Sequence, residues 1–262
     1  MSEAETPAIP PKPGMSRQRA AGIHFMISII VFAAVILPLL IMWYPPPLFF
    51  ADGGWKVIQI AGCVDIVIGP LLTMIVFKPG KKHLKLDLAV IGLLQFAALA
   101  WGVHLMYQER PLFLAYAEGR FGTVSRSQVT DSKRPLEELL ALGNDNPVRV
   151  LVRLPTDPAQ LRAVRSAQAL NGRSLFSIAD NYEAMTPQTY QKVYSEAIDM
   201  GNWLKRHPEV KADYDAFMQK TGTDPKEYAF VPLICRYETV LLILRRSDNS
   251  IAGSLSVPQA GS

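Results

Sequence analysis

The order of apolar and polar positions divides the chain near residue 109. Before that point lie three long apolar runs, at residues 20–44, 57–77 and 88–108. The first and third contain no Asp, Glu, Lys or Arg, and the second contains only Asp65. A helix needs about 20 residues, at about 1.5 Å each, to cross a bilayer's hydrocarbon. The pattern therefore predicts three transmembrane helices, over about 20–44, 56–77 and 86–108.

After residue 109 the runs shorten and alternate. PLFLAYAEGRFGTVS predicts a hairpin turning at Glu118-Gly119. A helix is predicted over 135–142, stopped by Gly143. In NPVRVLVRLP, Val148, Val150, Val152 and Leu154 face one way and Arg149, Leu151 and Arg153 the other, so a half-buried strand is predicted. Asp157-Pro158, Thr186-Pro187 and Asp224-Pro225 each set a capping residue before a proline at a first helical position. Tyr190, Val193, Tyr194, Ala197 and Ile198 then share one helix face. FVPLICRYETVLLILRR, SDNS and IAGSLSV predict strands around a polar turn. The expectation is a membrane protein: a three-helix transmembrane bundle, then an α+β domain over 109–262 with an antiparallel sheet.

Charge settles how such a chain would be oriented. The net charge is +4; before residue 109 there are 8 Lys and Arg against 5 Asp and Glu, and from there on 19 against 18. The surplus flanks the apolar runs, which makes it a topology signal and argues against nucleic acid as a partner. Lys12, Arg17 and Arg19 precede the first run, Lys78, Lys81, Lys82 and Lys85 join the second to the third, and residues 44–54 carry neither Lys nor Arg. Positive-inside bias puts the N-terminus and the lysine loop in the cytoplasm and residues 109–262 outside, which in a Gram-negative cell is the periplasm. The first apolar run exceeds a signal peptide's core of about 7 to 15 residues, so it is read as an uncleaved anchor.

Residues 1–19, rich in proline and polar side chains, read as a disordered cytoplasmic tail. The turn WYPPPLFFADGGW places Trp43, Tyr44 and Trp55 as interfacial aromatics, with Pro45 beginning a rigid exit from the membrane. Cys63 and Cys235 form no CxxC motif and are read as packing residues.

Candidate chemistry is sparse. The segment after residue 109 has one histidine, His207, and the chain has no HExxH, GxSxG, Walker A or SxxK motif. No enzyme, metal site or cofactor is expected. The informative residue is Asp65, mid-way along the second apolar run, where a carboxylate costs about 2.5 to 3.5 kcal/mol on insertion scales. Gln95, in the third run, lies at a similar depth and could hydrogen-bond to it. Three readings stand: Asp65 and Gln95 join the chain's own helices; Asp65 faces another protein's transmembrane helix, with Gly69-Pro70 bending the span to expose it; or Asp65 serves a proton path, for which the three helices offer no second ionisable residue at that depth. His24 reads as an interfacial anchor.

The order GIHFMISIIV, WYPPPLFF, GCVDIVIGPLLTMIVFKPGKK and LKLDLAVIGLLQFAALAWGVHLMYQERP resembles the type IV pilin accessory proteins of Gram-negative bacteria, also described as fimbrial assembly membrane proteins. The resemblance is specific over residues 22–125 and looser beyond. It implies a non-enzymatic inner-membrane factor that modulates type IV pilus assembly by acting on the pilin or the assembly machinery. Its characteristic positions would be Trp43-Tyr44-Pro45, Asp65, Gly69-Pro70 and Lys78 to Lys82. The alternative is a membrane-tethered periplasmic module that binds a ligand or peptidoglycan.

Overall fold

The computed structural model describes residues 15–172, 174–222 and 224–257. Most of the expected N-terminal tail lies outside these residues. The chain forms two compact units, one from residues up to Leu37 with Ile58–Val103, the other from Pro38–Val57 with His104 onward.

The first unit holds most of three helices long and apolar enough to cross a membrane, Arg17–Trp43, Gly54–Val76 and Leu84–Glu109. Arg17–Trp43 is α1 and Leu84–Glu109 is α5. The middle helix is composite: α3 (Gly54–Gly62), a π-helical segment (Cys63–Ile68) and α4 (Gly69–Val76). The widened segment ends at Ile68, two residues before Pro70, whose ring clashes with the carbonyl four residues back and which has no N–H to donate. Ile30, Ile60, Ile75 and Leu93 are exposed on these helices, an apolar exterior that hydrocarbon would cover. Ala20, Phe32, Ile36, Ile91 and Leu99 are buried between them.

The second unit is built on a seven-stranded sheet in the order β4-β3-β1-β2-β5-β6-β7. The strands are β1 (Pro111–Ala117), β2 (Arg120–Ser125), β3 (Val148–Val152), β4 (Tyr182–Ala184), β5 (Tyr228–Ile234), β6 (Thr239–Arg245) and β7 (Ile251–Ser256). The hairpin β1–β2 turns on Glu118 and Gly119, both at positive φ. The sheet is mixed, which corrects the antiparallel expectation. β3 lies parallel to β1, and β5 lies parallel to β2. Each of these strands returns to the central hairpin after a long segment containing helix, the kind of crossover that makes parallel neighbours possible.

Helices cover both faces. Alternate residues of β1, β5 and β6, among them Tyr116, Val231 and Leu242, pack with α8 (Pro187–Ser195) through Tyr190, Val193 and Tyr194. On the other face β1 and β3 bury Phe113, Ala115 and Val150 with Leu139 of α6 (Leu136–Leu140). On that face too, β5 to β7 pack against Met200 of α9 (Met200–Arg206) and Phe217 of α10 (Lys211–Thr221).

Two sequence expectations change here. β3 is buried on both faces, because Arg149 donates to both carboxylate oxygens of Asp145 at 2.9 and 2.8 Å and bonds the Asn249 carbonyl. Asp224-Pro225 opens only a single 3₁₀ turn, Pro225–Glu227, before β5 begins. The other two caps hold: Asp157 accepts from Gln160 N at 2.8 Å at the start of α7 (Pro158–Asn171), and Thr186 accepts from Thr189 N at 3.2 Å at the start of α8.

Candidate functional site

Within the helical unit, Asp65, Gly69 and Thr73 are spaced by four and share one face of the middle helix, and all three are buried. His24 of α1 meets Thr73 Oγ1 with Nδ1 at 2.5 Å and Gln95 Oε1 with Nε2 at 2.8 Å. A side-chain amide oxygen can only accept, so Nε2 carries the imidazole proton, and in the neutral ring Nδ1 accepts from the Thr73 hydroxyl. Gln95 of α5 then donates its Nε2 to the backbone carbonyl of Asp65 at 3.1 Å. One polar chain thus ties all three helices together.

Why the carbonyl and not the carboxylate? In the π-helical turn the N–H of Gly69 bonds Val64 O. The next amide along belongs to Pro70, which has no hydrogen. The Asp65 carbonyl is left without a helical donor, and Gln95 supplies one. Gln95 fits only because residue 69 is glycine, since a Cβ there would stand 2.0 Å from its Nε2. Gln95 thus meets Asp65 at its backbone carbonyl and not, as expected, at its carboxylate, and Gly69-Pro70 serves this contact.

The Asp65 carboxylate is free to do something else. The residue is 6% exposed, and its Oδ1 has no hydrogen-bond partner among the described residues. It lines a cavity of about 210 Å³ with His24, Ser28 and Gln95 on the polar side and Ile27, Val31 and Phe96 among the apolar walls. A buried acceptor without a donor is costly, and a hydrogen-bond donor entering the cavity would remove that cost.

The second unit has its own polar centre. Pro38–Val57 belongs to the sheet unit, where α2 (Leu48–Ala51) buries Leu48 and Ala51 against Leu114, Phe121 and Leu233. Asp52, next in the chain, accepts from Thr123 Oγ1 at 2.7 Å and Arg236 N at 3.0 Å. Burial pushes the Asp52 carboxyl above its ordinary value, against the pull of these bonds. Arg236 also forms an ion pair with Glu109. At Gly53 φ is +98°, and a Cβ there would stand 2.4 Å from the Tyr237 ring, so only glycine fits.

The other sequence-selected residues fall as follows. Tyr44 is buried in the sheet unit, and burial, with Asp52 beside it, pushes its hydroxyl up to about 12. It is not an exposed interfacial ring, because α2 turns back over the sheet. Trp43 is half-buried, edge-on to Tyr107 at 5.6 Å. Pro45 O accepts from Leu48 N at 2.8 Å and starts the turn into α2. Lys78, Lys81, Lys82 and Lys85 are exposed, and Lys81 pairs with Asp87 at 2.5 Å.

Sequence reading missed Thr73, Asp52, Thr123 and Arg236, and took His24 for an interfacial anchor where it bonds Thr73 and Gln95. The spacing of four from Asp65 through Gly69 marks Thr73, whereas nothing local marks Asp52 and Arg236, 184 residues apart. A groove of about 650 Å³ beside β3 and β4 is lined by Arg134, Arg153, Asp180 and Glu183 among others. Its charges engage chain partners: Arg153 pairs with Glu183, Arg134 with Glu138, and Asp180 accepts from Ser132. No group of three His, Cys, Asp or Glu suited to a metal occurs among the described residues.

Against known proteins, the chain is 29% identical over 244 residues to the fimbrial assembly protein of serogroup I from Dichelobacter nodosus, covering 91% of this chain and 94% of that protein. It is 28% identical over 119 residues to the fimbrial assembly protein of serogroup E1 from the same organism, covering 45% of this chain and 46% of that protein. For the fimbrial assembly protein of serogroups C1 and C2 the identity is again 28% over 119 residues, covering 45% and 91%. No protein-family model and no solved structure matches. The resemblance to fimbrial assembly proteins is borne out, and it extends through the sheet unit.

Proposed function

From its relationship to the fimbrial assembly proteins over nine-tenths of its length, we propose that this chain is a non-enzymatic accessory factor of type IV pilus assembly. It resides in the bacterial inner membrane with its N-terminus in the cytoplasm and its sheet unit in the periplasm, as the lysine distribution favours. It acts by contact with the pilin or with the assembly machinery. The observation that carries a contact role is the buried Asp65 oxygen, without a donor among the described residues, set in a cavity between the helices. A transmembrane helix presenting a donor would satisfy it.

The test is deletion in a piliated strain, followed by complementation with wild type, Asp65→Ala and Asp65→Asn. Deletion is expected to change pilus number, retraction or pilin abundance. Asp65→Ala should fail to complement although inserted, and Asp65→Asn should complement partly because it keeps an acceptor. Site-specific crosslinking from Ile27 and Phe96 should capture a pilin or machine component. An unchanged phenotype on deletion would refute the proposed role, and wild-type behaviour of both variants would remove Asp65 from it.

A further inference from the structure

The sheet unit carries a pair of arginines that form no ion pair with a carboxylate among the described residues. Arg110 follows α5, and its Cζ lies 4.2 Å from the centroid of the Tyr107 ring and 5.4 Å from that of Trp43. Arg126 comes directly after β2, and its Cζ lies 4.9 Å from the same Tyr107 ring. The two guanidiniums are therefore no more than about 9 Å apart.

Each positive charge raises the electrostatic cost of the other, and an anion beside them would lower it. Among the described residues no carboxylate forms an ion pair with either arginine. The adjacent acid in the chain, Glu109, is already engaged by Arg236. The Nε of Arg110 is buried and has no hydrogen-bond partner among the described residues. Burial, with the charge of Arg126 behind it, holds the Arg110 guanidinium below its ordinary pKa, a strain that a bound anion would relieve. Stacking on an aromatic ring uses the face of a guanidinium and leaves its edge N–H groups to bond oxygen.

We propose that Arg110 and Arg126, arrayed around Tyr107 beside Trp43, bind a phosphate group. Guanidinium forks match phosphate oxygens in geometry and charge. Trp43 closes α1 and Tyr107 lies in the last turn of α5, so the pair sits at the ends of two candidate spans. In a bilayer that level is occupied by headgroups and by aromatic side chains. The lipid source of the phosphate rests on the membrane reading given above, whereas the phosphate chemistry does not. Inorganic phosphate is the other source.

The experiment uses the full chain in phospholipid-free detergent and in nanodiscs of equal parts phosphatidylglycerol and phosphatidylcholine. Native mass spectrometry counts retained lipid, and thermal shift against inorganic phosphate reports the free anion. Phosphatidylglycerol is expected to be retained in preference, and Arg110→Gln with Arg126→Gln together should weaken that retention about tenfold, as loss of charge-assisted bonds implies. Arg126→Gln alone, at a half-exposed turn, keeps the test open if the double variant misfolds, and should show a smaller loss. Arg120→Gln removes a charge elsewhere and should change nothing. Stabilisation by inorganic phosphate that is lost in the arginine variants, without lipid preference, would support a free-anion site. If both the lipid preference and the phosphate shift are absent, or survive the substitutions, the site is refuted. Failure to enter nanodiscs would count against the membrane reading, and the phosphate arm would then decide the site.

Discussion

Gln95 lies across Gly69 so closely that a Cβ at that glycine would stand 2.0 Å from the amide nitrogen. The contact converts a missing proline N–H into a link between helices, because Gln95 donates to the carbonyl that Pro70 leaves open. Gly69→Ala should push Gln95 away and break its bonds to both Asp65 and His24. The expected loss is about 1 to 3 kcal/mol, the usual cost of overpacking. Gly62→Ala is the control, since its Cβ would meet Phe32 at an ordinary 3.6 Å. Thermal unfolding in detergent should show Gly69→Ala clearly destabilised and Gly62→Ala close to wild type.

His24 and Gln95 act as one unit, which makes their substitutions non-additive. His24→Leu removes the partner of Gln95 Oε1, and Gln95→Leu removes the partner of His24 Nε2. The double variant should be less destabilised than the two singles combined, with an interaction energy of about 0.6 kcal/mol, the average for hydrogen bonds within membranes, and at most about 1.7 kcal/mol. Strict additivity in a double-mutant cycle would show that the contact contributes nothing.

The sequence made the helical and sheet halves legible because their patterns are local. Runs without charge mark the three long helices, and alternation with turn residues marks the hairpin at Glu118-Gly119. What it hid depends on contacts between distant segments. The parallel pairings of β1 with β3 and β2 with β5 leave no trace in strand composition. Tyr44 and Asp52 resemble the content of an interfacial loop, and only the packing of α2 against the sheet reveals them as buried. Asp65 and Gln95 were visible as polar residues at one depth, yet the carbonyl as acceptor follows from π-helical geometry. His24 was misjudged because its type suits an interface as well as an interior.

Asp52 should give the sheet unit a measurable pH signature. Its pKa in the folded state is raised by burial, so the native chain binds more protons than the unfolded chain just above the ordinary carboxylate range. Stability from this group is present in full below the unfolded pKa, and it is lost as pH rises through the folded pKa. Asp52→Asn keeps acceptors for Thr123 and Arg236 without the charge. Unfolding midpoints of both proteins, followed from pH 4 to pH 8, should show wild type losing ground to Asp52→Asn as pH rises. A constant difference would mean that Asp52 titrates alike in both states.

Arg149 tests whether a buried charge within β3 specifies the sheet's edge. The residue is 9% exposed, forked onto Asp145, bonded to the Asn249 carbonyl and set 5.5 Å from the Tyr190 ring. Asp145→Ala leaves that guanidinium without its carboxylate; because Asp145 itself is half exposed, water replaces part of the contact, and the expected cost is about 1 to 3 kcal/mol, that of losing hydrogen bonds to a charged group. Arg149→Lys keeps the charge but cannot form the two-pronged bond or reach Asn249 at the same time. Arg149→Met with Asp145→Ala together removes the pair and retains an unbranched apolar side chain in the buried slot. The double variant should be more stable than Asp145→Ala alone, because no uncompensated charge remains. Chemical denaturation followed by tryptophan fluorescence, with Trp43, Trp55 and Trp203 in the sheet unit, measures the order. If Asp145→Ala unfolds no more easily than wild type, the fork contributes nothing and the core around Tyr190 alone holds Arg149 in place.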